Sequence, residues 1–334
     1  MGHSRGGGLG YTYLSSLQRA NKVEHYVHVA SNDNEGPAGP SAFPVPTLNL
    51  YSAADTIVTG NDGIEGATNV ELTSADHYEV ATSVESFTAI YEFLHDGTAP
   101  ETTDTSNDDP AWIYGKVVDL GSNAPRANTT VEVYEVDDST GIRVDETVEE
   151  SFTTNDEGYW GPFRTESGTR YELYVDADDE DGVPVHYYIE PQTASNPAVY
   201  LRTLPGPDTL AGAFLGGLPT DATFGAVIVF FASGAIEAGT DDVKLDGEEQ
   251  LATEDVADPE NTTIALFMYD DNENSSSDFE IIEDFSSFPF LNGLDVYFDT
   301  EPAGASSTIN YNDRTLSTPH WNTAEDGVSI LIFE

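Results

Sequence analysis

The chain has 334 residues, which at roughly 150 residues per domain points to two or three domains. Lys and Arg number 11 against 61 Asp and Glu, a formal net charge of −50, which excludes a general nucleic-acid or anionic-membrane binder because phosphate is repelled over most of the surface. Zero cysteines exclude a disulfide framework, a thiol nucleophile and Cys-ligated zinc or iron–sulfur sites, while 38% hydrophobic and 11% aromatic residues exclude wholesale disorder.

The acidity reads as adaptation to molar salt, where the Debye length is about 3 Å and a dense carboxylate surface repels itself little. The other reading is an acidic surface for a cationic partner or for metal ions. Only three lysines (Lys22, Lys116, Lys244) are present, and the acid is spread along the chain, as salt adaptation requires. Carboxylate clusters are therefore weak pointers to sites. No apolar run approaches the roughly 20 residues needed to span a bilayer, so no transmembrane segment is expected.

In chain order, Tyr11 to Ala20 reads as a helix after a glycine-rich start. Val23 to Val29, Pro46 to Tyr51 and Asn69 to Leu72 read as strands. Val80, Val84, Phe87, Ile90, Tyr91 and Leu94 have i, i+3/i+4 spacing, which predicts an amphipathic helix. Strands separated by helices imply a parallel α/β sheet over residues 1–98. Residues 99–110 are polar and unpatterned and read as a linker. Beyond it the texture is all-β. Runs at Trp112 to Leu120, Thr130 to Val136, Tyr171 to Val175 and Val185 to Ile189 suggest a β-sandwich over residues 111–204, with Asn155 to Gly158 turning into a strand at Tyr159-Trp160. A Pro/Gly break (Leu204-Pro205-Gly206-Pro207) ends it. A second β-rich domain, sandwich or barrel, is predicted over residues 205–334, from runs at Ala226–Phe231, Ile264–Met268, Leu294–Phe298 and Val328–Phe333.

Gly2-His3-Ser4-Arg5-Gly6 matches G-x-S-x-G. Such a tight strand-to-helix turn thrusts the serine hydroxyl above the sheet edge and leaves the next backbone N–H free for an oxyanion. On its own the pentapeptide also fits a flexible glycine-rich start. The pattern calls for an acid after a later strand and then a histidine, in that order. Asp55 follows the strand ending at Tyr51, and His77 follows the one ending at Leu72.

With these segments in place, residues 2–94 resemble the C-terminal part of an α/β-hydrolase of the lipase/esterase type. Tyr51-Ser-Ala-Ala-Asp55-Thr-Ile-Val58 is similar to the acid-bearing loop of small bacterial lipases. The whole chain resembles archaeal extracellular lipases, in which a hydrolase domain precedes a C-terminal β-domain that covers and binds lipid; the fit of Thr73 to Phe93, Ser317 to Trp321 and Val328–Phe333 carries this. The resemblance implies Ser4 as nucleophile, His77 as general base, Asp55 as the group orienting His77, and the Arg5 N–H as an oxyanion donor. Asp33 is the alternative acid, because those archaeal relatives carry theirs after the earlier strand. The implied fold is α/β followed by all-β, a truncated α/β-hydrolase followed by β-sandwich domains. The implied function is a carboxyl-ester hydrolase, a triacylglycerol lipase working through an acyl-enzyme on a lipid or other ester, extracellular and without a cofactor. It also implies that the strand before the serine turn and the second oxyanion donor are missing, so little activity is expected of the chain as written. The competing reading is a non-enzymatic β-rich interaction protein carrying a hydrolase remnant. The oligomeric state is left open.

Asp270, Asn272, Asn274 and Asp278 place oxygen ligands as calcium loops do. The sharp-turn glycine and a bidentate glutamate are absent from that segment, and a solvated loop is the alternative. His3, His25 and His28 read as structural groups, and residues 112–175 resemble a carboxypeptidase-regulatory-like sandwich.

Overall fold

The computed structural model describes all residues except 105–107, 109, 178–182, 205–217, 219–221, 259–261 and 289. Residues 105–107 and 109 of the expected linker, and residues 205–207 of the Pro/Gly break, lie outside the described residues. The chain divides into two units, Met1–Asp104 with Ser233–Ala235, and Thr105–Ala232 with Ile236–Glu334.

In the first unit, β1 (Gly2–His3), β2 (Tyr26–Val29), β3 (Thr47–Tyr51) and β4 (Thr68–Glu71) form one sheet in that order, every pair parallel. Their carboxyl ends therefore emerge along a single edge, the usual place for ligands in open parallel sheets. All four residues of β2 are buried, so both faces of this strand are covered. Tyr26 and His28 face helix α1 (Arg5–Leu14), which starts immediately after Ser4. Val27, Val29, Leu48 and Leu50 face the other way, toward Val80 and, on α4 (Val84–Leu94), toward Ala89, Ile90 and Phe93.

The glycine-rich start is thus helical rather than loose. A Cβ on Gly7 would overlap the Ser31 side chain and come within 2.7 Å of the His28 ring, so glycine lets α1 lie close on β2. The predicted helix to Ala20 breaks at Ser15, and Ser16 caps α2 (Leu17–Ala20) by accepting the Arg19 N–H. The helix predicted over Val80 to Leu94 also breaks. Ser83, with ψ 155°, ends α3 (Glu79–Thr82) and caps α4. Leu9 and Leu17 at the α1–α2 end and Val84 and Phe87 on α4 stay exposed.

The second unit is built on an eight-stranded mixed sheet. Its order is β17 (Leu291–Asp295), β16 (Ala265–Tyr269), β13 (Val227–Phe231), β21 (Val328–Phe333), β10 (Val185–Ile189), β9 (Arg170–Asp176), β6 (Thr130–Val136) and β7 (Glu150–Thr153). One face packs on a three-stranded sheet of β11 (Asn196–Thr203), β5 (Ala111–Asp119) and β8 (Tyr159–Thr165) through Ile113, Trp160, Phe163, Val199 and Leu201. The other face packs on a four-stranded sheet of β15 (Glu249–Gln250), β14 (Val243–Leu245), β19 (Ser306–Tyr311) and β20 (Arg314–Pro319) through Val243, Ile309, Tyr311 and Leu316, and β12 (Phe224–Gly225) and β18 (Phe298–Asp299) form a short antiparallel pair.

These observations correct the expected fold class. Strands hold 35% of the residues and helices 12%, the sheets are several and the helices few, and no α/β-hydrolase fold is evident. The parallel sheet is real but small, and its helices are short, so it does not set the class of the chain. Nor are there two separate sandwiches. The C-terminal strand β21 pairs in parallel with both β10 and β13, which joins the two predicted β regions in one sheet. No helix among the described residues is long and apolar enough to cross a membrane.

Candidate active site

Ser4 sits between β1 and α1 with φ 52° and ψ −125°. A non-glycine residue held in this region costs about 1–3 kcal/mol, so its surroundings must fix it. They do so from both sides. The Ser4 N–H donates to the Val29 carbonyl at 2.9 Å, and the Ser4 carbonyl accepts from Gly7 N–H at 2.9 Å. A Cβ on Gly2 would overlap the Gly6 backbone, so the strand can fold back on the helix start only with glycine there. Ser4 is half-buried, and Arg5 opens the helix, where the first N–H groups have no intrahelical acceptor.

Asp55 follows β3 and His77 follows β4, on the same edge as Ser4. His77 Nδ1 lies 2.8 Å from Asp55 Oδ2, with both side chains buried. The other carboxylate oxygen, Oδ1, accepts the backbone N–H of Ile57 at 2.9 Å and of Val58 at 2.8 Å. Three donors thus hold one buried carboxylate. A carboxylate only accepts, so Nδ1 carries a proton, and in the neutral ring Nε2 is the nitrogen that presents a lone pair. Asp33 is exposed, and among the described residues no hydrogen bond joins it to His77.

The residue before the serine ties the two turns together. His3 Nε2 is 2.9 Å from the His77 carbonyl, and the two rings lie 4.7 Å apart. Burial pushes the His3 imidazole below its ordinary pKa, against that hydrogen bond, which raises it. Tyr78 is pushed up to about 12 by burial, with Asp76 and Asp55 adding to the shift. His28 packs beneath α1 and hydrogen-bonds the Asn32 carbonyl at 2.8 Å. Among the described residues no hydrogen bond joins the Ser4 hydroxyl to the His77 ring, a contact that often closes only with substrate present. A cavity of about 380 Å³ adjoins Asp55, lined by Tyr51, Ser52, Asn61, Asp62 and Glu71 among others.

In the second unit, Asp270 is wholly buried, and its two carboxylate oxygens accept the N–H groups of Asn274 at 3.1 Å and Ser275 at 2.8 Å. The Asn274 side chain donates to Asp278 at 2.8 Å, and that of Asn272 to Asp295. The four candidate calcium residues therefore lie together, and Asp270 and Asp278 spend oxygens on their own loop. Among the described residues no group of three or more His, Asp or Glu side chains is arranged to hold a metal ion.

A family described as a lipase C-terminal domain matches residues 109–204. A second family, described as a C-terminal domain, matches residues 232–333. The chain thus carries a lipase-related C-terminal domain. Neither match reaches residues 1–104. No curated protein matches the sequence. Among solved structures, (S)-allantoin synthase aligns at 16% identity with a TM-score of 0.22, over 35% of this chain and 46% of that one, a likeness too low to carry an argument.

Proposed function

We propose that the chain belongs to a serine carboxyl-ester hydrolase of the lipase type, acting on triacylglycerols or related esters through an acyl-enzyme. The observation that carries this is the buried Asp55–His77 hydrogen bond on the same sheet edge as the strained Ser4 turn. The match of residues 109–204 to a lipase C-terminal domain supports the choice of substrate.

In this reading Ser4 Oγ attacks the ester carbonyl while His77 Nε2 takes its proton. Asp55 fixes the tautomer and stabilises the imidazolium. The Arg5 N–H donates to the tetrahedral oxyanion. His77 then protonates the leaving alcohol, and water attacks the acyl-serine with His77 again as base, releasing the fatty acid and restoring Ser4. No step calls for a cofactor, and the same reading makes the protein extracellular.

A burst assay tests the first half of this cycle without requiring turnover. Mixed with excess of a short-chain nitrophenyl ester, the protein is expected to release about one equivalent of nitrophenol and little more after it, as an acyl-enzyme that forms but turns over poorly does. Ser4→Ala removes the burst. A wild-type trace that matches Ser4→Ala contradicts the proposal. It favours the second reading, a β-rich interaction protein with a non-catalytic first unit, for which the open Ser4–His77 contact speaks.

A further inference from the structure

The first unit includes one short segment from far along the chain, Ser233–Ala235. It meets the turn that carries His77. Asp76 Oδ2 accepts the Ala235 N–H at 2.6 Å, across 159 positions of sequence. The Thr82 hydroxyl, on α3, donates to the Ser233 carbonyl. Gly234 lies between these two bonds. A Cβ there would come within 3.0 Å of Glu79 Cγ and 3.4 Å of Asp76 Oδ2, so the close approach of the segment depends on glycine.

The other oxygen of Asp76 shapes its own turn. Oδ1 accepts the N–H groups of Tyr78 at 2.6 Å and Glu79 at 2.8 Å. In return, Glu79 Oε2 accepts the Asp76 N–H at 2.9 Å, the reciprocal pattern of a capping box. A residue that only caps a helix needs only Oδ1. The bond from Ala235 to Oδ2 adds nothing to the cap; it ties the turn to a second segment. Bonds from backbone N–H to a carboxylate are roughly twice as strong as neutral ones, which suits them to hold a turn still.

His77 is the next residue. Asp55 holds its ring and His3 holds its carbonyl, but neither reaches the N-terminal side of the residue. Asp76 does. We infer that Asp76 is a positioning residue for His77, and that its bond to Ala235 sets how far the imidazole stands from Ser4. The inference rests on His77 being the general base of the lipase-type reading. A base displaced by about 1 Å loses on the order of 100-fold in rate, so a bond that locks the backbone one residue away has leverage on the chemistry.

Two variants of the full chain separate the tie from the cap. In Asp76→Asn the amide oxygen still caps Tyr78 and Glu79, because Asn caps as well as Asp, but the amide NH2 then meets the Ala235 N–H, donor against donor. Gly234→Val pushes the same segment away and leaves Asp76 and its charge in place. Peptide mass spectrometry reads two reactions: Ser4 with increasing fluorophosphonate, and His77 with diethyl pyrocarbonate. Both variants should lower the limiting rate of Ser4 modification about tenfold or more, with the half-saturating concentration unchanged. Both should speed modification of the buried His77 about fivefold, the weight of one lost hydrogen bond, while the exposed His95 keeps its rate. Fewer folded molecules would lower the amplitude of Ser4 labelling and leave its rate, and melting curves count them. Wild-type rates at Ser4 in both variants overturn the inference. A slow Asp76→Asn beside a normal Gly234→Val also overturns it, because Asp76 would then act by charge and not by position. A wild-type Ser4 that does not react sinks the lipase-type reading instead. The His77 reaction then decides alone: faster in both variants supports the positioning role, and equal rates overturn it.

Discussion

His77 Nδ1 and Asp55 Oδ2 meet at 2.8 Å in a buried pair whose carboxylate is also held by two backbone N–H groups. Asp55 is thus fixed before it orients anything. Replacing it by Asn keeps the shape but offers the ring an N–H where it needs an acceptor, which drives His77 toward the other tautomer. The rate of Ser4 modification by a serine-directed phosphonate should fall on the order of 10³-fold or more. Peptide mass spectrometry over a time course measures it; an unchanged rate in Asp55→Asn would remove Asp55 from the account.

Two glycines of α1 should respond in opposite directions. Gly7→Ala puts a methyl into Ser31 and the His28 ring and should cost about 1–3 kcal/mol. Gly8→Ala meets nothing within 4 Å and should stabilise by about 0.5–1 kcal/mol. Urea titrations of the two variants check both signs.

The sequence made the local pieces legible and left the long-range pairings hidden. Thr130–Val136, Val185–Ile189 and Val328–Phe333 are strands as their β-branched and apolar runs predict. The insertion of β21 between β10 and β13 leaves no local trace, because its parallel partners lie far away in the chain. The strand Asn196–Thr203 is hidden in the sequence because Pro197 and Ala198 dilute its alternation. The break at Ser83 is hidden because Val80 and the residues of α4 keep one continuous helical spacing across it. At the candidate site, Ser4 could be picked out by its G-x-S-x-G pattern, and Asp55 and His77 because each follows a predicted strand; the strand expected to be missing before Ser4 is present as the two-residue β1. The His3–His77 contact could not, since it depends on how two turns meet.

Acid should weaken the first unit. Burial lowers the pKa of both His3 and His28 below their unfolded value. As pH falls through about 6.5 the unfolded chain takes up protons that the folded one refuses, so stability is full above that value and is lost toward the lower folded values. Hydrogen-exchange protection of Tyr26–Val29 amides at pH 7.5 and 5.5 reads the effect, and His28→Gln should make it smaller. A protection pattern indifferent to pH would contradict it.

In the second unit, Arg143 makes two hydrogen bonds to the fully buried Glu172, at 2.9 and 2.7 Å, and His186 Nδ1 lies 2.7 Å from the same carboxylate. Burial pushes Glu172 up, but the bonds from Arg143 and His186 outweigh it and hold the carboxyl below its ordinary range. Arg143→Met leaves that charge short of its main partner and should cost about 3–5 kcal/mol, or about 6 °C or more in melting temperature. Arg143→Met with Glu172→Leu should cost less than the single change.

The most direct measurement of the central claim is mapping a fluorophosphonate adduct on the full chain. The account predicts modification at Ser4, lost in Ser4→Ala and slowed on the order of 10³-fold or more in His77→Ala. Adducts spread over other serines, or Ser4 modified equally fast without the His77 imidazole, would contradict it.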